Sequence, residues 1–363
     1  CCWCAASVLS LFFSVGVLGA QMVAFGKIIT TMIPELPYAL AVVIGGGIVI
    51  LYSTAGGLMA VIHTDVYQFI ILMAGFTLTL FLCVPDLLDG MATAREVVPP
   101  EFFSIDGGKG WAFVVTTFLA FLLGETFTPG YATRYCVGKD IRETRIGIVG
   151  SGAFLAVTFP VILFFIALYA RINFPGIDPE MALPSTILRL NNPYVGGLII
   201  AALMSAVMSS ADSILNSTTA IFVKDLYEQY IARTDPDEVK GLRLARVSSV
   251  ALGALGILMA LVLPNVIDLL LLTYNLWAPG IILPVVFGIF STERSTRLNR
   301  SVFTTMTVST AATVMYMTTP FRDTVQPSVF GVAVSCLVFF LLRAADRGGK
   351  GAETSPRGPR QGS

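Results

Sequence analysis

The stretch AALMSAVMSSADSILNSTT, residues 201–219, decides the reading. It lies inside an apolar run from 194 to 222, yet it carries Ser, Thr, Asn and one Asp. At about 100° per residue, Ala206, Ser209, Ser210, Ser213 and Ser217 share one broad helical face. Ser205, Asp212 and Asn216 extend that face on one side. Hydroxyls, backbone carbonyls and a carboxylate are hard oxygen ligands, suited to Na⁺ rather than to a soft metal. Small Ser and Ala residues also let two membrane helices approach closely. Close packing explains the small residues but not an Asp in the same stripe.

The surroundings of this stretch define the class. The chain has 363 residues, 55% hydrophobic and 13% charged, against about 25% charged in a typical soluble domain. Mean hydropathy is +0.79 and the 23 basic residues balance the 23 acidic ones. These values exclude a soluble globular protein, a disordered chain and a disulfide scaffold, and they argue against a nucleic-acid partner. About 20 apolar residues cross the roughly 30 Å hydrocarbon core. Ten such runs occur: 1–33, 37–55, 65–85, 111–130, 145–170, 194–222, 244–264, 266–290, 301–318 and 327–343. They are continuously apolar rather than alternating, which predicts helices and not barrel strands. The expected fold class is therefore all-α integral membrane with about ten transmembrane helices, in contact with a lipid bilayer.

Charge sets the sidedness. Seventeen of the 23 Lys and Arg lie in 131–145, 223–246, 291–300 and the tail from Arg343. The opposite side holds Lys27, Arg95, Lys109, Arg171, Arg189 and Arg322. The positive-inside rule places the richer set, and both chain ends, in the cytoplasm. The expected location is the cell membrane, multi-pass. Residues 344–363 read as a disordered cytoplasmic tail. The chain opens Cys1-Cys2-Trp3-Cys4 with no basic residue before Lys27, which does not fit a signal peptide and reads as an N-terminally incomplete chain. The six cysteines form no paired CxxC pattern and read as small apolar residues.

In a membrane the informative residues are the costly ones. An ionised side chain at the bilayer centre costs about 2.5–3.5 kcal/mol on insertion scales. Asp65, Glu125 and Asp212 lie in or at the ends of spans, and no Lys or Arg lies deep in a span to pair with them. That imbalance points to a bound cation. Asp65 also reads as favourable near the positive end of a third helix, with Thr64 as its cap. His63, the one histidine, reads as structural or interfacial. Nothing in the chain forms a HExxH, a Ser/His/Asp set or a phosphate loop, so no enzyme and no organic cofactor is expected.

Two stretches carry a family likeness. One is Y-x-x-x-G-G-x-x-A-V-x-x-T-D-x-x-Q at Tyr52–Gln68; the other is S-S-A-D-S-I-L-N-S-T at Ser209–Thr218, continuing to Asp225-Leu226-Tyr227. Arg134 and Pro279-Gly280 add looser support. On these residues the sequence resembles the sodium:solute symporter family, from Cys1 to about Phe330. The resemblance implies a leucine-transporter-type bundle of two inverted five-helix repeats. On that template the chain begins at the third core helix. Residues 1–85 end the first repeat, 111–290 form the second, and 301–343 add two helices, within a transmembrane domain of 1–343. The first core helix, which supplies substrate contacts and two sodium-ligating carbonyls, precedes Cys1 in that alignment, so the chain alone is not expected to transport.

The resemblance also assigns residues. It places a sodium ion on Ala206, Ser209 and Ser210. A second sodium site would use Asp65, Ser209, Asp212 and Ser213, with Asp212 standing where some members carry a hydroxyl. Glu125 would lie near the substrate cavity, where a carboxylate could bind a cationic or hydroxylated solute, titrate, or pair with another helix. The apolar stretches Phe154–Ile162 and Leu269–Leu272 disfavour a sugar without selecting another solute. The expectation is sodium-coupled uptake of a small organic solute by alternating access. Its rivals are a sensor or structural module of the same fold and an intramembrane enzyme; the tail has no signalling domain and the spans show no catalytic pair.

Overall fold

The computed structural model describes residues 2–55, 58–89, 98–126, 128, 139–232, 238–290 and 296–352. Every regular element among them is helical. In chain order the α-helices are α1 (Cys2–Met32), α2 (Tyr38–Ala55), α3 (Leu58–Asp89), α4 (Trp111–Thr126), α5 (Ile141–Asn173), α6 (Ala182–Leu190), α7 (Pro193–Ala220), α8 (Glu238–Val262), α9 (Val266–Phe290), α10 (Thr296–Met317) and α11 (Pro327–Ala352). A π-helical continuation, Ile221–Ala232, follows α7. Each of the ten apolar runs coincides with a helix. Seven described helices are long and apolar enough to cross a membrane, while Tyr38–Thr54 and Trp111–Glu125 are apolar but shorter.

Two local expectations differ from the structure. The third helix begins at Leu58, so Thr64 and Asp65 lie about two turns inside it and do not cap it. Leu58 to Ile62 are apolar and compatible with a helix, and they extend it toward the preceding Gly-Gly. The segment 171–193, which joins two apolar runs and carries Pro, Gly and Asp, is not irregular throughout. It contains a tight turn, Pro179–Met181, and the short amphipathic helix α6, which buries Pro184, Thr186 and Ile187.

The chain forms two compact units. The larger comprises residues 10–110 and 127–273. Within it α7 packs against α2, α3, α6 and α8. Its start is fixed locally: the Asn192 side chain accepts hydrogen bonds from the N–H groups of Tyr194 and Val195, at 3.1 and 3.0 Å, and Pro193 occupies the first turn. The N-terminal half of α7 gives Ile199, Ile200 and Ala202 to one apolar cluster with Leu72 and Phe76 of α3, Ile162 and Ile166 of α5, and Ile187 of α6. Its C-terminal half gives Ala211 and Leu215 to a second cluster with Leu18 and Val23 of α1, Val42 and Val49 of α2, and Leu252 of α8. Gly75 permits the close α3–α7 approach, since a Cβ there would lie 2.6 Å from Ile199 Cγ1.

Polar ties join the helix ends of this unit. Asn191 Nδ2 donates to Thr79 Oγ1 at 3.1 Å, and Thr219 and Ser249 share a hydrogen bond of 2.8 Å. At one end, Lys27 of α1 donates to Asp178 and lies 5.1 Å over the Tyr38 ring. Glu180 Oε1 accepts from the Val266 N–H at 2.5 Å, where α9 begins. A strap of residues 174–181 is thus held by two carboxylates. Burial raises the Asp178 carboxyl, but the Lys27 hydrogen bond and the Glu180 N–H outweigh it, and the net shift is downward. Burial pushes Glu180 the other way, upward.

The smaller unit comprises residues 1–9, 111–126 and 274–363, in which α10 packs on α11 and α11 on α4. Ser309 Oγ donates to the Pro279 carbonyl at 3.0 Å, and the Ser328 N–H donates to Asn275 Oδ1 at 2.8 Å. Pro279 has no N–H to donate to the Asn275 carbonyl of the preceding turn; the Ser309 side chain of α10 and the Ser328 backbone N–H of α11 bond at this level to the Pro279 carbonyl and the Asn275 side-chain oxygen.

The strap yields a prediction. Lys27 is largely buried and Asp178 partly so, between the exposed pairs worth about 0–1 kcal/mol and the buried pairs whose disruption costs about 3–5 kcal/mol. Lys27→Met is expected to cost about 1–3 kcal/mol, read as a lowered melting temperature of the detergent-solubilised protein. Because the Asp178 carboxyl is depressed in the folded state, its contribution is present above the ordinary Asp range near about 3.9 and is lost as pH falls below it. The difference in melting temperature between wild type and Lys27→Met should shrink on acidification through that range. A difference that grows there would refute the Asp178 latch.

Candidate sodium and solute sites

The sodium candidates stand on the middle of α7. This segment lies between the part of the helix that enters the first apolar cluster and the part that enters the second. Ala206, Ser209 and Ser213 are half-buried, and Ser210 is exposed. Asp212 is buried, 3% exposed, and its Oδ1 accepts from Asn216 Nδ2 at 3.0 Å, one turn on. The face of the helix therefore divides. Ala206, Ser209, Ser210 and Ser213 lie on the partly open side, and Asp212 turns into the unit. Two residues along a helix rotate the side chain by about 200°, so Ser210 and Asp212 point to nearly opposite sides. Ser209 and Ser213 lie between them and could reach an ion on either side. The side chain of Asp65 lies outside the described residues.

Two further hydroxyls of α7 bond back to its own backbone. Ser217 Oγ donates to the Ser213 carbonyl at 2.9 Å, and Thr218 Oγ1 donates to the Ile214 carbonyl at 2.6 Å. Such bonds back to the preceding turn let Ser and Thr exist in an apolar helix without a ligand. Hydroxyl and carbonyl oxygens are hard ligands of the kind that suit Na⁺; no group of three His, Cys, Asp or Glu able to hold a metal occurs among the described residues.

The solute candidate is in the smaller unit. Glu125 stands near the end of α4, a helix otherwise uncharged along WAFVVTTFLAFLLGET. Its Oε1 accepts a hydrogen bond from the Tyr274 hydroxyl of α9. Tyr274 is fully buried, and its ring meets Phe121 edge-on at 5.4 Å. Gly124 makes room for that ring: a Cβ at this position would lie 2.5 Å from Tyr274 Cγ. A hydrogen bond to a charged group contributes about 1.5–3 kcal/mol. The phenol therefore holds the carboxylate but does not neutralise it. Sequence reasoning singled out Glu125 and missed Tyr274. The available signal was a Tyr-Asn pair in an apolar run, four to five residues before Pro279.

Comparison with known proteins gives the family. Residues 2–301 match the sodium:solute symporter family. The chain is 29% identical over 235 residues to the sodium/sialic acid symporter of Aliivibrio fischeri, covering 58% of this chain and 45% of that protein. It is 25% identical over 292 residues to an uncharacterized symporter of Bacillus subtilis, covering 75% of this chain and 56% of that protein. The chain thus spans about half the length of the curated relatives it matches. Among solved structures it resembles a Na⁺-coupled sialic acid symporter in its substrate-bound, outward-open state. The TM-score is 0.70 at 20% identity, over 93% of this chain and 74% of that one. That likeness shows the fold, an all-α transporter bundle of the kind the sequence predicted, and the family is one of transporters rather than enzymes. On the match over residues 2–301, the chain belongs to the sodium:solute symporter family.

Proposed function

We propose that the protein containing this chain couples sodium entry to uptake of a small organic solute by alternating access, in the cell membrane. The observation that carries this reading is the half-open hydroxyl face of α7 in a chain of this family. Sodium is the coupling ion, held by the Ala206 carbonyl and the Ser209 and Ser210 hydroxyls. A second ion uses Asp65, Asp212 and Ser213, with Ser209 between the two positions. Ion binding stabilises an outward-open form, solute joins it, and joint occupancy permits passage to the inward-open form. Residues 1–343 act as the transmembrane domain. Residues 344–363 are the cytoplasmic tail, on the side richer in Lys and Arg.

The energetics suffice. One charge moving through 100 mV releases about 2.3 kcal/mol. At about 1.4 kcal/mol per decade, that supports roughly 40–50-fold accumulation of solute. A second ion squares the factor, so occupancy of the second site sets the gradient the protein sustains. The relatives transport chemically different solutes by name, sialic acid and pantothenate among them. They support the class of reaction and leave the solute to the residues of this chain.

The test is thermal unfolding of the full-length protein in detergent, with sodium titrated against potassium at constant ionic strength. A ligand bound by the native state alone adds about 2.7 kcal/mol at 100 times its dissociation constant. A saturating, sodium-specific rise in melting temperature is expected in wild type. Ser209→Ala and Ser210→Ala should each shift the midpoint to higher sodium. Equal melting in the two salts, or unchanged sodium midpoints in both variants, would sink the assignment.

A further inference from the structure

The sodium reading leaves Glu125 unused. A carboxylate on an apolar span is costly unless a cation or a proton shares its site. Its observed partner supplies neither. The Tyr274 hydroxyl is a neutral donor, and it occupies Oε1 only. The arginines described nearest the helix ends of this unit are engaged elsewhere. Arg322 bonds the Met317 carbonyl at 3.2 Å and faces Asp323 at 3.7 Å, and Arg343 lies 5.7 Å from the Phe287 ring centroid.

The pair is also built rather than incidental. Tyr274 is 0% exposed, and Phe121 fixes one edge of its ring. Glycine at position 124 leaves the space that the ring fills, and any side chain there would force it away. Three residues of α4 within one turn, Phe121, Gly124 and Glu125, thus converge on one phenol. The arrangement aims the carboxylate, and among the described residues Tyr274 is its hydrogen-bond partner, through Oε1. A neutral hydroxyl would satisfy the hydrogen bond but not the charge. An anion would be repelled.

We propose that Glu125, held in place by Tyr274, receives the protonated amine of the transported solute, so that the substrate class is an organic ammonium with N–H donors. This rests on the transport reading above. Tyr274 acts as a positioning residue and does not touch the solute. Glu125 is the specificity-determining group, discriminating amine from alcohol by charge and amine from carboxylate by repulsion.

The experiment uses the full-length protein in detergent at saturating sodium. The probes are ethanolamine, isopentylamine, putrescine and phenethylamine, each set against its hydroxyl and carboxylate counterparts. At least one amine should raise the melting temperature saturably and only in sodium, and its counterparts should not. Glu125→Gln keeps an oxygen for the Tyr274 hydroxyl and removes the charge. It should weaken the amine's apparent affinity by about 30-fold or more, as expected for loss of one partner of a desolvated charge pair. The response to sodium alone should persist. Tyr274→Phe should weaken amine affinity severalfold in the wild-type background and change nothing further in the Glu125→Gln background. That non-additivity separates positioning from a merely structural role.

Equal stabilisation by alcohols or carboxylates would overturn the proposal. So would an amine response unaltered in Glu125→Gln, or no response to any amine beside an intact sodium shift. Absence of the sodium shift in wild type would instead overturn the transport reading.

Discussion

The larger unit depends on one helix, α7, whose two halves each supply an apolar cluster. Its first half joins an apolar cluster with α3, α5 and α6; its second half joins another with α1, α2 and α8. Neither cluster could form if α7 were displaced, because both take residues from it. The same helix carries the densest run of hydroxyls, and it carries a buried Asp. Apolar packing at both ends therefore fixes the position of a polar middle that would otherwise be expelled toward water. A rigid frame is what an ion site needs, since ligands must be held in place before the ion arrives.

Polar side chains elsewhere are disposed of locally. Thr79, Thr186, Thr305, Ser309 and Thr313 each donate to the carbonyl four residues earlier. Those bonds make a hydroxyl nearly as acceptable as a methyl group inside a span, and they explain why Ser and Thr are common here without each marking a site. The residues that stand out are carboxylates held by neutral donors. Asp212 is met by the Asn216 amide and Glu125 by the Tyr274 phenol. A neutral donor lowers the cost of keeping a charge away from water without cancelling it.

Much of this was legible in the chain. Each apolar run overlaps a described helix, and seven described helices are long and apolar enough to cross a membrane, because continuous apolarity over about 20 residues leaves no other way to satisfy the backbone in lipid. The start of α3 was misread because Thr64-Asp65 makes a plausible cap, while Leu58 to Ile62 extend the helix with no local stop signal. Helix α6 escaped notice because nine residues flanked by Pro, Gly and Asp resemble a loop; burial of Ile187 and Thr186, a tertiary effect, makes it a helix. The stripe on α7 was legible by periodicity. Its division into an open hydroxyl side and a buried Asp212 was not, because periodicity gives relative angles and not which side faces the core. Tyr274 was hidden for a similar reason: a contact between residues 149 apart leaves no mark on local pattern.

The contrast between the strap and the intramembrane carboxylates separates holding from binding. Asp178 meets Lys27, and Glu180 meets the first backbone N–H of α9. The first is a charge matched by an opposite charge; the second is a carboxylate at the positive end of a helix. Both contacts lie between chain segments that must be joined for the unit to close, although Glu180 Oε2 is buried without a hydrogen-bond partner among the described residues. Asp212 and Glu125 are met instead by an amide and a phenol. Among the described residues, no Lys or Arg is paired with either carboxylate. A coupled transporter requires such incompleteness, because a ligand can shift a conformational equilibrium only by interacting differently with the two states. A site already neutralised by the protein would have little to offer an incoming cation in either state.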